Sequence, residues 1–267
     1  MSGRGRNRSL LAWYDASRRN LPWRETRDRW AVLVSEVMLQ QTQVSRVVPV
    51  FERFMASYPS PDDFAEASPE DVIAVWGGLG YLRRARNLRA AARRISQTGW
   101  PDDLTQLPGV GPYTAAAVAA FADGRRVAAV DVNLRRVLSR WEGRPLTLSE
   151  SMVVGDGQVD PDRPGDWNQA MMDLGASICR PRNPQCEICP VDTWCSDPGI
   201  RQEAGRQTPY EGSVRQARAA VLKKLAHGPI ARGRVGVDLA PETVQAAIAA
   251  LESEGAILDD RGTLRLA

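Results

Sequence analysis

The segment Leu107-Pro108-Gly109-Val110-Gly111-Pro112-Tyr113-Thr114 leaves the backbone few choices. Two prolines bracket two glycines that flank Val110, so the stretch cannot continue a helix and reads as a tight hairpin between two helices. Pro112 suits the first position of the helix expected over residues 115–121. Such a turn offers unobstructed backbone N–H groups beside a positive helix end, a place for a phosphate. Gly109, Val110 and Gly111 are therefore candidate anion contacts. Further on, Asp131 follows the small and apolar run over residues 127–130. A carboxylate there is either a helix cap or a reactive group.

Periodicity elsewhere predicts a mainly α chain. Helical patterns cover residues 10–16, 30–41, 44–58, 81–96, 133–141, 147–154 and 166–179. Ser60-Pro61-Asp62-Asp63 and Ser68-Pro69-Glu70-Asp71 each read as a cap, a first-turn proline and an acidic first turn. Thr147 with Glu150 reads as a capping box. No strand signal precedes residue 200. Residues 199–212 read as a polar, Gly- and Pro-rich linker. Beyond it come helical patterns over 214–226, weakly over 233–239, and over 241–254, then an alternating hairpin over 257–266. That order resembles a winged helix-turn-helix over residues 213–267, with 242–251 in the recognition-helix place, a module that either binds DNA or docks on its neighbour.

The chain holds four cysteines, Cys179, Cys186, Cys189 and Cys195, spaced C-x6-C-x2-C-x5-C. Thiols this close in a cytosolic chain point to a metal site before disulfides. Zinc ordinarily uses two separated C-x2-C knuckles, whereas one C-x2-C with two outer cysteines better suits a [4Fe–4S] cluster. Arg180 and Arg182 in the same loop are placed to face phosphates.

Glu36 lies inside the helical run over 30–41, with Val32, Leu33, Leu39 and Gln40 as its neighbours three and four residues away. A carboxyl held on that apolar face has its pKa raised, as a general acid needs, or it is a structural Glu bonded to a partner helix. The sole histidine, His227, lies beyond the linker, so acid–base chemistry before it falls to carboxylates and tyrosine. Glu36 and Asp131 form the natural pair.

No apolar run approaches the ~20 residues a membrane span needs, and the basic start over residues 1–8 has no signal core behind it. The expectation is a cytoplasmic, nucleoid-associated monomer. A net charge of +3 permits a nucleic-acid partner without requiring one. The arginines at 83, 84, 86, 89, 93 and 94 either track phosphate or form a solvated helix face.

Together the hairpin, Asp131-x-Asn133, Leu21-Pro22-Trp23-Arg24, the Ser35–Gln43 run, Gly78-Leu79-Gly80-Tyr81, the Asn168–Gly175 run and the cysteine loop resemble the helix-hairpin-helix superfamily of base-excision DNA glycosylases, most closely the MutY-type adenine glycosylases. The resemblance spans about residues 8–198. It implies a two-lobed fold over residues 1–198. A six-helix barrel would cover about 28–134, and a lobe from about 1–27 and 135–198 would carry the [4Fe–4S] cluster. It also implies that double-stranded DNA with a mispaired base is the partner, and that the target base leaves the stack to be excised.

By that resemblance Glu36 protonates the adenine, Asp131 stabilises the sugar cation, and Tyr113 and Asn133 support these carboxylates. Trp23, Arg24 and Gln169 line the base pocket, while Gln41, Thr42 and Tyr81 wedge into the duplex and meet the opposite base. Relatives that also cut the strand, such as endonuclease III, carry a Lys where this chain has Tyr113, so a monofunctional hydrolase is implied. MutY-type enzymes often carry a large MutT-like domain after the linker, whereas the roughly 55 residues that follow it here resemble a winged helix, which leaves the opposite base, 8-oxoguanine or guanine, less defined. Two other readings stand beside this one: a thymine or uracil mismatch glycosylase on the same scaffold, and a non-catalytic iron–sulfur DNA-binding regulator.

Overall fold

The computed structural model describes residues 3–201, 209–253 and 256–266. Its contacts divide the chain into two compact units, residues 1–203 and 204–267.

In the first unit the helices are α1 (Gly3–Ser17), α2 (Arg29–Leu39), α3 (Val44–Ser57), α4 (Pro61–Ala65), α5 (Pro69–Trp76), α6 (Leu82–Thr98), α7 (Pro112–Phe121), α8 (Val132–Glu142), α9 (Leu148–Gln158) and α10 (Pro164–Ser177). Their starts follow the sequence chemistry. Asp28 caps α2 through the N–H groups of Trp30 and Ala31. Ser60 with Asp63, Ser68 with Asp71, and Thr147 with Glu150 close three reciprocal capping boxes. The helix α1 begins well before the short pattern expected from residue 10, because its buried side runs from Asn7 through Leu10, Leu11 and Tyr14.

Two cores organise this unit. One gathers α2 to α7 around Trp30, Leu33, Phe54, Phe64, Trp76 and Leu88. The other gathers α1, α8 and α10 around Tyr14, Leu134, Leu138, Trp167 and Met171. From Trp30 to Met38 every residue of α2 is buried, as befits a helix enclosed by α3, α6 and α7. A carboxylate on such a helix meets no solvent of its own.

In the second unit, α11 (Val214–Leu225) packs on α12 (Pro241–Ser253). Beside them β1 (Ile230–Ala231), β2 (Ile257–Asp260) and β3 (Thr263–Leu266) form an antiparallel sheet in the order β1-β3-β2. Arg261 and Gly262 join β2 to β3, both with positive φ (50° and 84°), as a tight two-residue hairpin requires. The expected helical pattern over 233–239 is corrected: the chain makes a single 3-10 turn at Arg232–Arg234. Gly233 and Gly236, the latter with φ of 50°, keep it from extending. Residues 202–208 of the expected linker and Glu254 of the expected last helix lie outside the described residues.

Candidate active site and cysteine loop

Glu36 projects from α2 into a cavity of about 80 Å³, whose lining includes Trp23, Arg24, Tyr113, Gln169 and Met172. The residue is 6% exposed. Burial pushes its carboxyl up to about 7, and the nearby Asp131 adds to the rise. A hydrogen bond donated by the Tyr113 hydroxyl and the charge of Arg24 pull the other way without cancelling it. Burial, with the two neighbouring carboxylates, raises Tyr113 well above the usual phenol range. It therefore remains a neutral donor at any physiological pH.

Asp131 turns out to be a helix cap as well as a partner of Glu36. It sits at the N-cap of α8, where Oδ1 accepts from the Leu134 N–H at 2.7 Å and Oδ2 accepts from Asn133 Nδ2 at 3.0 Å. Burial raises its pKa, and these donors and the charge of Arg136 oppose the rise. The segment entering it is pinned from α10. Asn168 Oδ1 accepts from the Ala129 N–H at 2.7 Å, and its Nδ2 donates to the carbonyls of Val127 and Pro164, both at 2.9 Å. Asn133 is held by close helix packing, since a Cβ on Gly175 would lie 2.6 Å from the Asn133 Cβ. Arg136, itself buried, donates through Nη2 to Asn133 Oδ1 at 2.8 Å and through Nε to the Cys179 carbonyl at 2.8 Å. One guanidinium thus touches both the amide beside Asp131 and the backbone of the first cysteine.

Behind the pocket-lining Arg24 and Gln169 stand Asp173 and Tyr14, to which the sequence assigns no role. Arg24 makes a two-pronged ion pair with Asp173, at 2.7 and 3.0 Å, and Arg19 joins it. Asp173 lies one helical turn after Gln169 on α10, a spacing that places both on one face. The Tyr14 hydroxyl donates to Gln169 Oε1 at 2.6 Å, which occupies that acceptor and leaves the amide N–H groups for the pocket. Nothing local in α1 marks Tyr14, because its partner is 155 residues away.

The expected DNA-facing residues lie in turns. Gly109 has φ of 77°, and a Cβ there would meet the Asn87 Cβ at 2.7 Å, so glycine is required. Leu107 and Val110 anchor the hairpin in the core, and nothing crowds Gly111. Gln41 falls just beyond α2 rather than inside it, with φ of 55°. Tyr81 precedes α6 with φ of 51° and is 58% exposed. The arginine row on α6 is not a uniform solvated or phosphate-tracking face. Arg84, Arg93 and Arg94 donate to main-chain carbonyls of neighbouring segments.

All four cysteines are half-buried free thiols and line one cavity of about 170 Å³. Arg140, 2% exposed, lies against it and donates through Nη1 to Cys179 Sγ at 3.0 Å. Among the described residues no group of three or more His, Cys, Asp or Glu side chains is arranged to hold a metal ion. No helix among them is long and apolar enough to cross a membrane.

Residues 34–153 match the HhH-GPD superfamily of base excision DNA repair proteins. The chain is 43% identical over 208 residues to the human adenine DNA glycosylase, covering 70% of this chain and 38% of the human protein. It therefore spans well under half of that relative. It is 40% identical over 257 residues to the adenine DNA glycosylase of Mycobacterium tuberculosis (strain H37Rv), covering 89% of this chain and 84% of that protein. Among solved structures, a thermostable thymine-DNA glycosylase superposes with a TM-score of 0.68 at 30% identity, covering 73% of this chain and 95% of that one.

Proposed function

We propose, since the chain belongs to the adenine DNA glycosylases of the HhH-GPD superfamily, that it removes adenine mispaired with 8-oxoguanine or guanine by hydrolysing the N-glycosidic bond, leaving an abasic site. The observation that carries this reading is Glu36, a buried carboxyl that lines the cavity, is raised to about 7 and feels the charge of the nearby Asp131.

Adenine leaves poorly as an anion. In the proposed reaction Glu36 gives its proton to N7, so the bond from C1′ to N9 breaks with its electron pair going to a neutral base. The cation left at C1′ is stabilised by the Asp131 carboxylate. Water adds to C1′ and its proton passes to the Glu36 carboxylate, restoring the acid. Tyr113 orients Glu36, and Asn133 orients Asp131. Trp23 and the Arg24–Asp173 pair wall the pocket, and Gln169 addresses the base edge through its amide donors. Gln41, Thr42 and Tyr81 enter the duplex from their exposed turns, and the Gly109–Gly111 backbone receives a phosphate.

A phenol at position 113 cannot form a Schiff base with the sugar. Borohydride is therefore expected to trap no covalent adduct of the wild-type protein, and strand scission appears only after alkali. Tyr113→Lys is expected to yield a trappable adduct. An adduct with the wild type contradicts the monofunctional assignment.

In the same reading Cys179, Cys186, Cys189 and Cys195, which line one cavity though not drawn together as around a single ion, would hold a [4Fe–4S] cluster, a group large enough to need thiolates set further apart. Four thiolates bring negative charge, and the buried guanidinium of Arg140 on Cys179 is placed to offset it. Bound there, the cluster would tie the segment from Cys179 to Cys195 together beside Arg140 of α8 and serve as a structural element. Iron analysis of protein purified without oxygen should give about four irons per chain, and Cys186→Ser should lower both iron content and melting temperature. One zinc per chain would overturn this.

The C-terminal unit is winged-helix-like. Its α12 carries only Glu242 and Glu252 as charged residues, which does not favour that helix as a phosphate-contacting element.

A thymine mismatch glycosylase is the second reading, carried by the likeness to the solved thymine-DNA glycosylase. Chromatography of the bases freed from 8-oxoguanine·adenine, guanine·adenine and guanine·thymine duplexes decides between them. Adenine release from the first two, with thymine retained, is expected. Thymine release without adenine release establishes the second reading.

A further inference from the structure

The two turns expected to enter the duplex both lie against the first turn of α6. One follows α2 and carries Gln40, Gln41 and Thr42. The other, over residues 77–81, ends in Tyr81. Each holds a non-glycine residue in the left-handed region, Gln41 at φ of 55° and Tyr81 at φ of 51°. Such residues persist only where their surroundings hold them. Gln41 and Tyr81 are themselves exposed, and of the two turns only Leu79 is buried in the core.

What joins them is one side chain. Arg84, on the first turn of α6, donates through Nη1 to the carbonyls of Val37 and Met38, both at 3.0 Å, and also to that of Gln40. Through Nη2 it donates to Thr42 Oγ1 at 3.0 Å and to the carbonyls of Leu79 and Gly80, both at 3.3 Å. The fork therefore spends one terminal nitrogen on the end of α2 and Gln40 of the first turn, and shares the other between the two turns. Its Cζ lies 5.2 Å from the centre of the Tyr81 ring and 5.7 Å from that of Trp76. Trp76 in turn donates through Nε1 to the Gly80 carbonyl at 3.1 Å. Both terminal nitrogens are committed to these acceptors, so the side chain is not presented to phosphate.

We propose that Arg84 is a positioning residue that clamps the Gln41–Thr42 turn to the Tyr81 turn, and so sets the spacing with which they enter the duplex and sense the opposite base. The proposal rests on the reading of those turns given under Proposed function. A lysine keeps the charge but reaches with a single point, so it cannot bridge both turns.

The test uses full-length protein with Arg84→Lys, Tyr81→Ala and the double variant. Hydrogen exchange read on the free protein should show faster exchange of the amides around 40–42 and 78–81 together in Arg84→Lys, with the α7 amides unchanged. In single-turnover assays, adenine release from an 8-oxoguanine·adenine duplex should fall by ~10-fold or more. Duplex affinity should hold within about threefold. Opposite an abasic analogue, where no partner base is met and extrusion costs less, the loss should shrink to about threefold or less. The double variant should be no slower than about twice the worse single variant, because the two act through one element.

Exchange that rises in neither turn or only one, an equal rate loss on both substrates, or losses that multiply would each overturn the proposal. Wild-type protein releasing adenine from no mispair would instead defeat the glycosylase reading. The exchange comparison still tests the clamp in that case.

Discussion

Replacing Glu36 by Gln is expected to slow adenine release by ~10³-fold while making the protein more stable in alkaline solution. The amide has no proton to give, and loss of a positioned general acid costs ~10²–10⁴-fold in rate. A fall of ~10³-fold in single-turnover adenine release is therefore expected. The stability change follows from the raised pKa, about 7 in the fold against 4.5 for a free carboxyl. The native state holds the proton more tightly than the unfolded chain. The stabilisation this gives is complete below about 4.5 and is lost as pH rises through about 7. Above that range the ionised, buried carboxylate costs roughly 3 kcal/mol relative to acid conditions. Glutamine does not ionise, so Glu36→Gln should gain on the wild type between pH 5 and 8, by up to that amount. Denaturant melts of both proteins at the two pH values check this. Equal stability differences at both pH values would mean that Glu36 is not a buried titrating acid.

Asp131→Asn is expected to lower adenine release by ~10²–10³-fold, the usual loss when a group aimed at a developing charge is removed. Its two structural roles survive differently. Asn caps a helix about as well as Asp, so the bond from the Leu134 N–H should persist, while the bond from Asn133 Nδ2 is lost and stability should fall by about 1 kcal/mol. The negative charge that raises Glu36 is gone, so the pKa of Glu36 should move downward in the variant. Activity reduced far beyond that small stability loss, with Glu36 titrating lower, identifies Asp131 as an electrostatic partner. A variant that keeps full activity reduces Asp131 to a helix cap.

Much of this arrangement is readable from the chain because local chemistry wrote it. Prolines and glycines mark the hairpin at 107–112, acidic capping boxes mark α4, α5 and α9, and four thiols within seventeen residues mark the loop beneath α8 and α10. The apolar face around Glu36 predicts a raised pKa before any neighbour is known. The neighbours are harder to read, because they arrive from far along the chain. Tyr14 reaches Gln169 and Arg24 reaches Asp173 across about 150 residues, and no periodicity encodes which distant side chain will complete a bond.

Arg84 shows the same limit in another form. In the sequence it is one of six arginines along a helix, a pattern that fits phosphate tracking or a solvated face equally. Only the fold shows that this one turns inward to two loops while Arg93 and Arg94 grip other segments. In the C-terminal unit the pattern over 233–239 misleads because periodicity is weak beside closely spaced glycines, and backbone freedom wins.

The pH profile of single-turnover adenine release from an 8-oxoguanine·adenine duplex tests most directly whether a protonated Glu36 drives the reaction. A plateau in mildly acid solution is expected, falling about tenfold per pH unit once pH passes about 7. Glu36→Gln should lack that limb. A wild-type rate that is flat or rises from pH 6 to 9, under conditions where chemistry limits turnover, would contradict the assignment of Glu36 as the proton donor.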